Sequence, residues 1–225
     1  AHSMVQIAAT HLPPDLPALF LPVQRIGYSP EHAAFAGTLS LKADTVMRLW
    51  SDIAESVLAS GVRKLVLFNT HGGNVGLMDV VARDWRARLG MLVYSASWFN
   101  LPLLEPDGKD AMERFPAEEQ RFGVHGGQIE TAMMLALKPR LVRQSRFKFF
   151  DSTSQLRARE YPTLGNGRSA KLAWAAQDLN PEGAAGNAAA ADLEDGLALI
   201  DAAGRALATL LKEIDRLPAD TLRPI

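Results

Sequence analysis

Apolar and polar positions along this chain switch repeatedly between a short-run pattern and a helical one. Ala18-Leu-Phe-Leu-Pro22 is a brief apolar run entered through Pro17 and predicts a strand. Gly27 to Thr38 is a polar, glycine-punctuated loop. From Lys42 to Ala59, Val46, Leu49, Ile53, Val57 and Leu58 recur at helical spacing, and Gly61 supplies the stop. Arg63–Phe68 predicts a strand, Val75–Leu89 an amphipathic helix closed by Gly90, and Met91–Trp98 another strand. A charged connection follows from Pro102 to Glu119. Thr131–Leu137 starts a helix that Pro139 ends, Asp151–Asn180 has no clear period, and alanine- and leucine-rich Ala188–Leu217 predicts a long final helix. There is no internal repeat. The alternation predicts an α/β fold with a mainly parallel sheet and helices on both faces.

The length, 225 residues, suits one substantial core, so a single domain over 1–225 is expected. Its 48% hydrophobic content argues against disorder. With 24 Lys+Arg against 25 Asp+Glu and no concentrated basic stripe, no nucleic-acid partner is expected. No apolar segment reaches the roughly 20 residues of a membrane helix, and no signal-peptide pattern opens the chain, so a cytoplasmic protein without a membrane partner is the default. Cysteine is absent. Any metal must therefore be held by His, Asp, Glu or water, a shell that suits zinc, manganese or iron.

The strand Arg63–Phe68 runs into Asn69-Thr-His71-Gly-Gly-Asn74. An apolar run stopping at a glycine-bracketed histidine reads as a buried parallel strand that delivers His71 to its carboxyl end, where open α/β sheets hold ligands. Gly72 and Gly73 lack Cβ atoms, so a metal, water or substrate can approach the backbone beside the imidazole. Asn69 or Asn74 can orient the ring. The alternative is a capping or core histidine.

A second His-Gly-Gly element, His125-Gly-Gly-Gln-Ile-Glu130, adds a carboxylate. Five residues along a helix separate two side chains by about 140°. His125 and Glu130 share one cavity only if Gly126-Gly127 breaks the geometry before the helix begins. His125 then acts as general acid or base, with Glu130 binding a metal or fixing the tautomer. Otherwise His125 caps the helix and Glu130 is a first-turn dipole partner. Tyr28, Glu31 and His32 lie in a loop equally compatible with surface turn chemistry. Met133, Met134 and Trp174 read as core, Trp174 with the option of lining a pocket, and His2 and His11 as solvent-exposed.

These residues resemble the creatininase family of metal-dependent amidohydrolases. The resemblance rests on Asn69–Asn74, on His125–Thr131 with the following Ala-Met-Met-Leu-Ala-Leu-Lys-Pro139, on Gly27–His32 leading to Gly37-Thr-Leu-Ser-Leu41, and on the glycine-rich turn before the last helix. It implies a three-layer α/β/α sandwich, one or two divalent metals at the carboxyl edge of the sheet, and a homo-oligomer, commonly a hexamer. His71 takes the position of a family metal ligand and His125 that of the proton-transferring histidine. The family's Glu-x-His-Gly run and following aspartate have no counterpart in this sequence, and Gly73 stands where creatininase proper has a glutamate ligand. Creatininase also carries a Trp-Asp pair before the histidine, where this chain has Arg121 and Phe122, and a glutamate where it has Val124.

The expectation is a metal-dependent hydrolase of a carbon–nitrogen bond in an amide or cyclic amide, acting on a small molecule other than creatinine. His125 and Glu130 are its catalytic residues, and His71 and Glu130 its metal ligands, for Zn2+ before Mn2+ or Fe2+. Gly72, Gly73, Tyr28, Glu31, His32 and Arg121 are its substrate contacts, an inward-pointing Arg121 favouring a carboxylate or phosphate. A deformylase, a peptide-processing enzyme or a carbohydrate-ring hydrolase is the alternative on the same fold. A non-catalytic oligomeric scaffold is the alternative of another class.

Overall fold

A computed structural model describes residues 1–223. The chain divides into two compact units, one built from Ala1–Pro30, Thr38–Pro102 and the stretch from Ala203, the other from Glu31–Gly37 and Leu103–Ala202.

The first unit holds α1 (His2–Thr10), α2 (Ala43–Ala59), β1 (Lys64–Asn69), α3 (Val75–Leu89) and β2 (Leu92–Ser97). It also takes the later turns of α8 (Leu193–Arg216). β1 and β2 pair in parallel from Lys64 opposite Leu92 to Asn69 opposite Ser97, joined by the α3 crossover. Leu65 and Leu67 pack with Ala54, Val81 and the fully buried Trp85 of α2 and α3. Phe68 packs instead with Ala8 of α1 and Leu207 and Ala208 of α8. Alternation along a strand sends 65 and 67 to one face and 68 to the other, so β1 is covered by helices on both sides. Trp85 Nε1 donates to Ser51 Oγ at 3.0 Å, satisfying its polar edge inside this core. Gly90, at φ 66°, ends α3 as its left-handed cap.

Two strand expectations change. Ala18–Pro22 lies in no helix and no strand, and Leu19 is 87% exposed. Its flanking prolines remove two ladder donors, and without a neighbouring strand the apolar run stays in solvent. Among the described residues the parallel sheet is therefore the β1–β2 pair alone. β1 is also less enclosed than its sequence suggests: Lys64 to Phe68 are half-buried and only Asn69 is buried.

The second unit holds α4 (Ala117–Phe122), α5 (Gln128–Leu137), β3 (Phe149–Phe150), α6 (Thr153–Glu160), α7 (Ala176–Leu179), β4 (Gly186–Asn187) and the first turns of α8. β3 and β4 are antiparallel. α5 begins three residues before its expected start, and α8 begins at Leu193, after a 3₁₀ turn at Ala188–Ala190, because Asp192 Oδ1 accepts the Glu194 N–H at 2.7 Å and caps it there. α6 and α7 occupy the stretch without periodicity. α6 has one leucine and no apolar stripe; its start is set by Ser152, whose Oγ accepts the Ser154 N–H, and Arg157 bonds back to Thr153 and Ser154. Met134 is 40% exposed, a correction to its core reading. His2 and His11 are exposed as expected. The fold is α/β, and among the described residues no helix is long and apolar enough to cross a membrane.

Candidate active site

In the first unit, β1 ends at Asn69 and the backbone turns through His71 into a 3₁₀ turn at Gly72–Asn74 before α3. Asn69 sets this turn: its Oδ1 accepts the His71 N–H at 3.1 Å, and its Nδ2 donates to the His71 carbonyl at 2.8 Å and to Ser97 Oγ of β2 at 3.1 Å. Asn74 Nδ2 donates back to Asn69 Oδ1, and Asn74 Oδ1 accepts the Tyr28 N–H at 3.1 Å. The two asparagines thus hold the His71 backbone. The ring is oriented by Tyr28, whose carbonyl lies 3.2 Å from His71 Nε2. A carbonyl has no proton to give, so Nε2 is the donor in this contact. Tyr28 enters through its backbone. A Cβ placed on Gly72 meets nothing within 4 Å, which leaves the approach beside the turn open.

In the second unit, the glycine kink does what the His125–Glu130 spacing requires. Gly126 sits at φ 63° and α5 starts only at Gln128, so the helical 140° separation never applies. Glu130 Oε2 accepts the Gly126 N–H at 2.7 Å and lies 3.7 Å from His125 Nδ1. The N-cap of α5 is Gly127, with no side-chain cap of its own, so His125 does not cap the helix, whereas Glu130 is a first-turn acid as expected and also faces the histidine. His125 is tied by its backbone to Ala185, and its side chain is 42% exposed.

The Glu31–His32 turn belongs to the same unit. The His32 ring stacks on that of His125 with centroids 4.0 Å apart and 29° between planes, and its other neighbours are Trp174, edge-on at 6.2 Å, and Glu31, whose Oε1 is 3.6 Å from Nε2. Four expected residues, Glu31, His32, His125 and Glu130, therefore converge. Arg121 does not join them: it is exposed, donates to the Gly165 carbonyl at 2.9 Å and lies over the Phe122 ring, so its guanidinium is used in surface packing.

One residue of this site is not announced by its own sequence neighbourhood. Glu119 is 6% exposed; its Oε1 accepts the Gln128 N–H at 2.6 Å and its Oε2 the Asn187 N–H at 2.8 Å. A Cβ on Gly123, Gly127 or Gly186 would come within 2.0, 2.2 and 2.5 Å of Glu119 Oε1. The three glycines make room for a buried carboxylate that fixes the His125 loop, the start of α5 and β4 together. Its signal was the glycine spacing.

A divalent ion asks for three or four protein donors. Among the described residues no three His, Asp or Glu side chains are arranged so that they could hold one ion, the Glu31, His32, His125 and Glu130 group included. His71 and the Glu130 carboxylate are individual donors and do not complete a shell.

Comparison with known proteins agrees with the motifs. The peptidase acting on the mycofactocin precursor peptide in Mycobacterium tuberculosis (strain CDC 1551 / Oshkosh) is 32% identical over 130 residues, and its counterpart in Mycobacterium ulcerans (strain Agy99) is 30% identical over 129. The matched stretch is 58% and 57% of this chain, but 43% of each relative, so the chain spans under half the length of these proteins. Among solved structures, a creatininase in its Mn form has a TM-score of 0.70 at 22% identity over 96% of this chain and 82% of its own. A mutant creatininase of Zn–Zn type has a TM-score of 0.69 at 21% identity over 96% and 81%. The family model described as "Creatininase: Creatinine amidohydrolase" matches residues 2–211, a span that takes in both the His71 turn and the His125 loop. On that match, this chain belongs to the creatininase family.

Proposed function

We propose that the protein hydrolyses a carbon–nitrogen bond in an amide or cyclic amide, with His125 as the proton-transferring group. The observation that carries this reading is the His125–Glu130 pair. Nδ1 faces a carboxylate at 3.7 Å, which favours the tautomer with hydrogen on Nδ1 and leaves the Nε2 lone pair outward. Nε2 can take a proton from an attacking water and, as imidazolium steadied by Glu130, return it to the departing nitrogen. Water oxygen bonds to the carbonyl carbon, the C–N bond breaks, and the amine leaves with the proton. General acid–base catalysis of this kind contributes about 10²–10⁴-fold.

The relatives' name supports a peptide as the amide. A deformylase or a carbohydrate-ring hydrolase is the alternative enzyme reading, and a non-catalytic oligomeric scaffold is the reading of another class. A divalent metal, with zinc before manganese or iron, belongs to the proposal because structures of the same fold include Mn and Zn–Zn forms. The residues it assigns as ligands are His71 and Glu130. The reading also includes a three-layer α/β/α sandwich, a homo-oligomer, hexameric by resemblance, and a cytoplasmic protein acting on a small-molecule substrate, without nucleic-acid or membrane partners.

The test is release of free amine from a panel of linear peptides and lactams by the full-length protein, compared with His125→Ala. A loss of 10²–10⁴-fold with metal content intact supports the assignment; equal turnover by both proteins sinks it, and no turnover by either favours the scaffold. For the metal, His71→Ala should weaken zinc binding by at least the 10–100-fold seen when outer-shell partners are lost. Unchanged zinc affinity removes His71 from the ligand set.

A further inference from the structure

We infer that His32 is a positioning residue for His125, acting by holding its ring plane. This rests on the proton-transfer reading above. A histidine whose side chain is 42% exposed would sweep its rotamers and spend little time aimed at one bond. Two contacts restrict it. Glu130 stands at its Nδ1 edge, and the His32 ring stacks on one face at a centroid distance of 4.0 Å with 29° between planes.

His32 can act as a wall because it is itself confined. Its side chain is 13% exposed, Trp174 meets it edge-on, and Glu31, equally enclosed, lies beside its Nε2. With one edge and one face of His125 restricted, the 42% of its side chain that stays exposed leaves room for the proposed chemistry. The loop Tyr28-Ser-Pro-Glu-His32 lies 93 residues before His125, by the difference of their sequence numbers, so local sequence gives no hint of this contact. His32 thereby has a role through His125 and not through a bond to substrate.

The stack makes a distinction between ring and nitrogen that substitution can read. Phenylalanine keeps a flat ring without any nitrogen, and alanine removes the wall. Misplacing a reacting group by about 1 Å can cost roughly 10²-fold in rate. In full-length protein with histidine-labelled side chains, His32→Ala should release the His125 ring protons from their upfield ring-current position. It should also lower kcat for amine release by up to about 100-fold at nearly constant KM. His32→Phe should keep the ring-current shift and restore most of kcat. Unchanged His125 ring signals in His32→Ala overturn the inference whether or not any turnover is found. A kcat retained by His32→Ala but lost by His125→Ala overturns it while leaving the proton-transfer reading standing. A His32→Phe protein as slow as His32→Ala overturns it too, assigning His32 a nitrogen-dependent role.

Discussion

The Glu119 carboxylate accepts the backbone N–H of Gln128 at 2.6 Å, so the first turn of α5 is capped by a residue nine positions upstream and not by its own flanking loop. A second oxygen of the same carboxylate holds Asn187. Glu119→Ala should leave both N–H groups without their acceptor, at about 1–3 kcal/mol for each that stays buried. Gly127→Ala should also destabilise, because its new Cβ would stand 2.2 Å from Glu119 Oε1. Urea unfolding measures both. A Glu119→Ala protein within about 0.5 kcal/mol of the parent would mean that water replaces the carboxylate.

Gly126→Ala separates backbone strain from crowding. A Cβ there meets its nearest atom, Ala184 Cβ, at 3.4 Å, an ordinary contact, so the penalty is conformational. A left-handed φ of 63° should cost alanine about 1–2 kcal/mol, and Gly126→Asn less. The expected ranking in stability is Gly, then Asn, then Ala. Because the same residue aims His125 at Glu130, amine release should fall in that order too.

Acid should loosen the junction between the Leu103–Asp110 hairpin and the start of α8. Arg114 bonds both oxygens of Glu105, at 2.7 and 2.9 Å, and Asp195 Oδ1 at 3.1 Å. The hydrogen bond from Arg114 holds the Glu105 carboxyl below its ordinary range. A depressed folded-state pKa stabilises the fold above the unfolded value, about 4.3, and that stabilisation disappears as pH falls through the folded value. Glu105→Gln should lower stability at pH 7 and flatten its decline below about pH 4. A parallel decline in both proteins refutes the linkage.

Creatinine should be a poor substrate. The positions before His125 hold Arg121, Phe122 and Val124, and Arg121 is occupied at the surface by the Gly165 carbonyl. With no carboxylate among these three positions to pair with a polar ring, a deficit of roughly 1.5–3 kcal/mol, or about 10- to 100-fold in binding, is expected. Steady-state kinetics on metal-supplemented full-length protein check this. Efficient creatinine hydrolysis overturns it, and Arg121→Ala should leave turnover of anionic amides unchanged, contrary to an inward-pointing clamp.

What the sequence made legible is local. The strand that ends before His71, the Val75–Leu89 helix with its Gly90 stop, and the Gly126 kink all depend on neighbours within a few residues, and the structure has each of them. What escaped depends on partners far along the chain. Ala18–Pro22 has strand composition, but a strand also needs a neighbour to receive its hydrogen bonds. Glu119 sits in a charged stretch that reads as connection, and its partner Asn187 is 68 residues away. His32 was legible as a candidate substrate contact in a turn, but its stack on His125 was not. α6 has no apolar stripe to announce it and is set by side-chain bonds at its first turn.

Lys64, the first residue of β1, sends its ammonium to the carbonyls of Ile214, Asp215 and Leu217 at 2.8–2.9 Å, closing the end of α8 from 150 residues upstream. The unit that contains both is discontinuous, its last piece starting only at Ala203. During synthesis on the ribosome, β1, α3 and β2 emerge long before the helix that supplies Leu207 and Ala208 to Phe68. On that face the nascent strand has only Ala8 of α1 while Leu103–Ala202, which with Glu31–Gly37 makes the other unit, can already fold. The first-made unit is therefore the last to be finished, and chaperone dependence should track truncations that remove residues beyond Ala203.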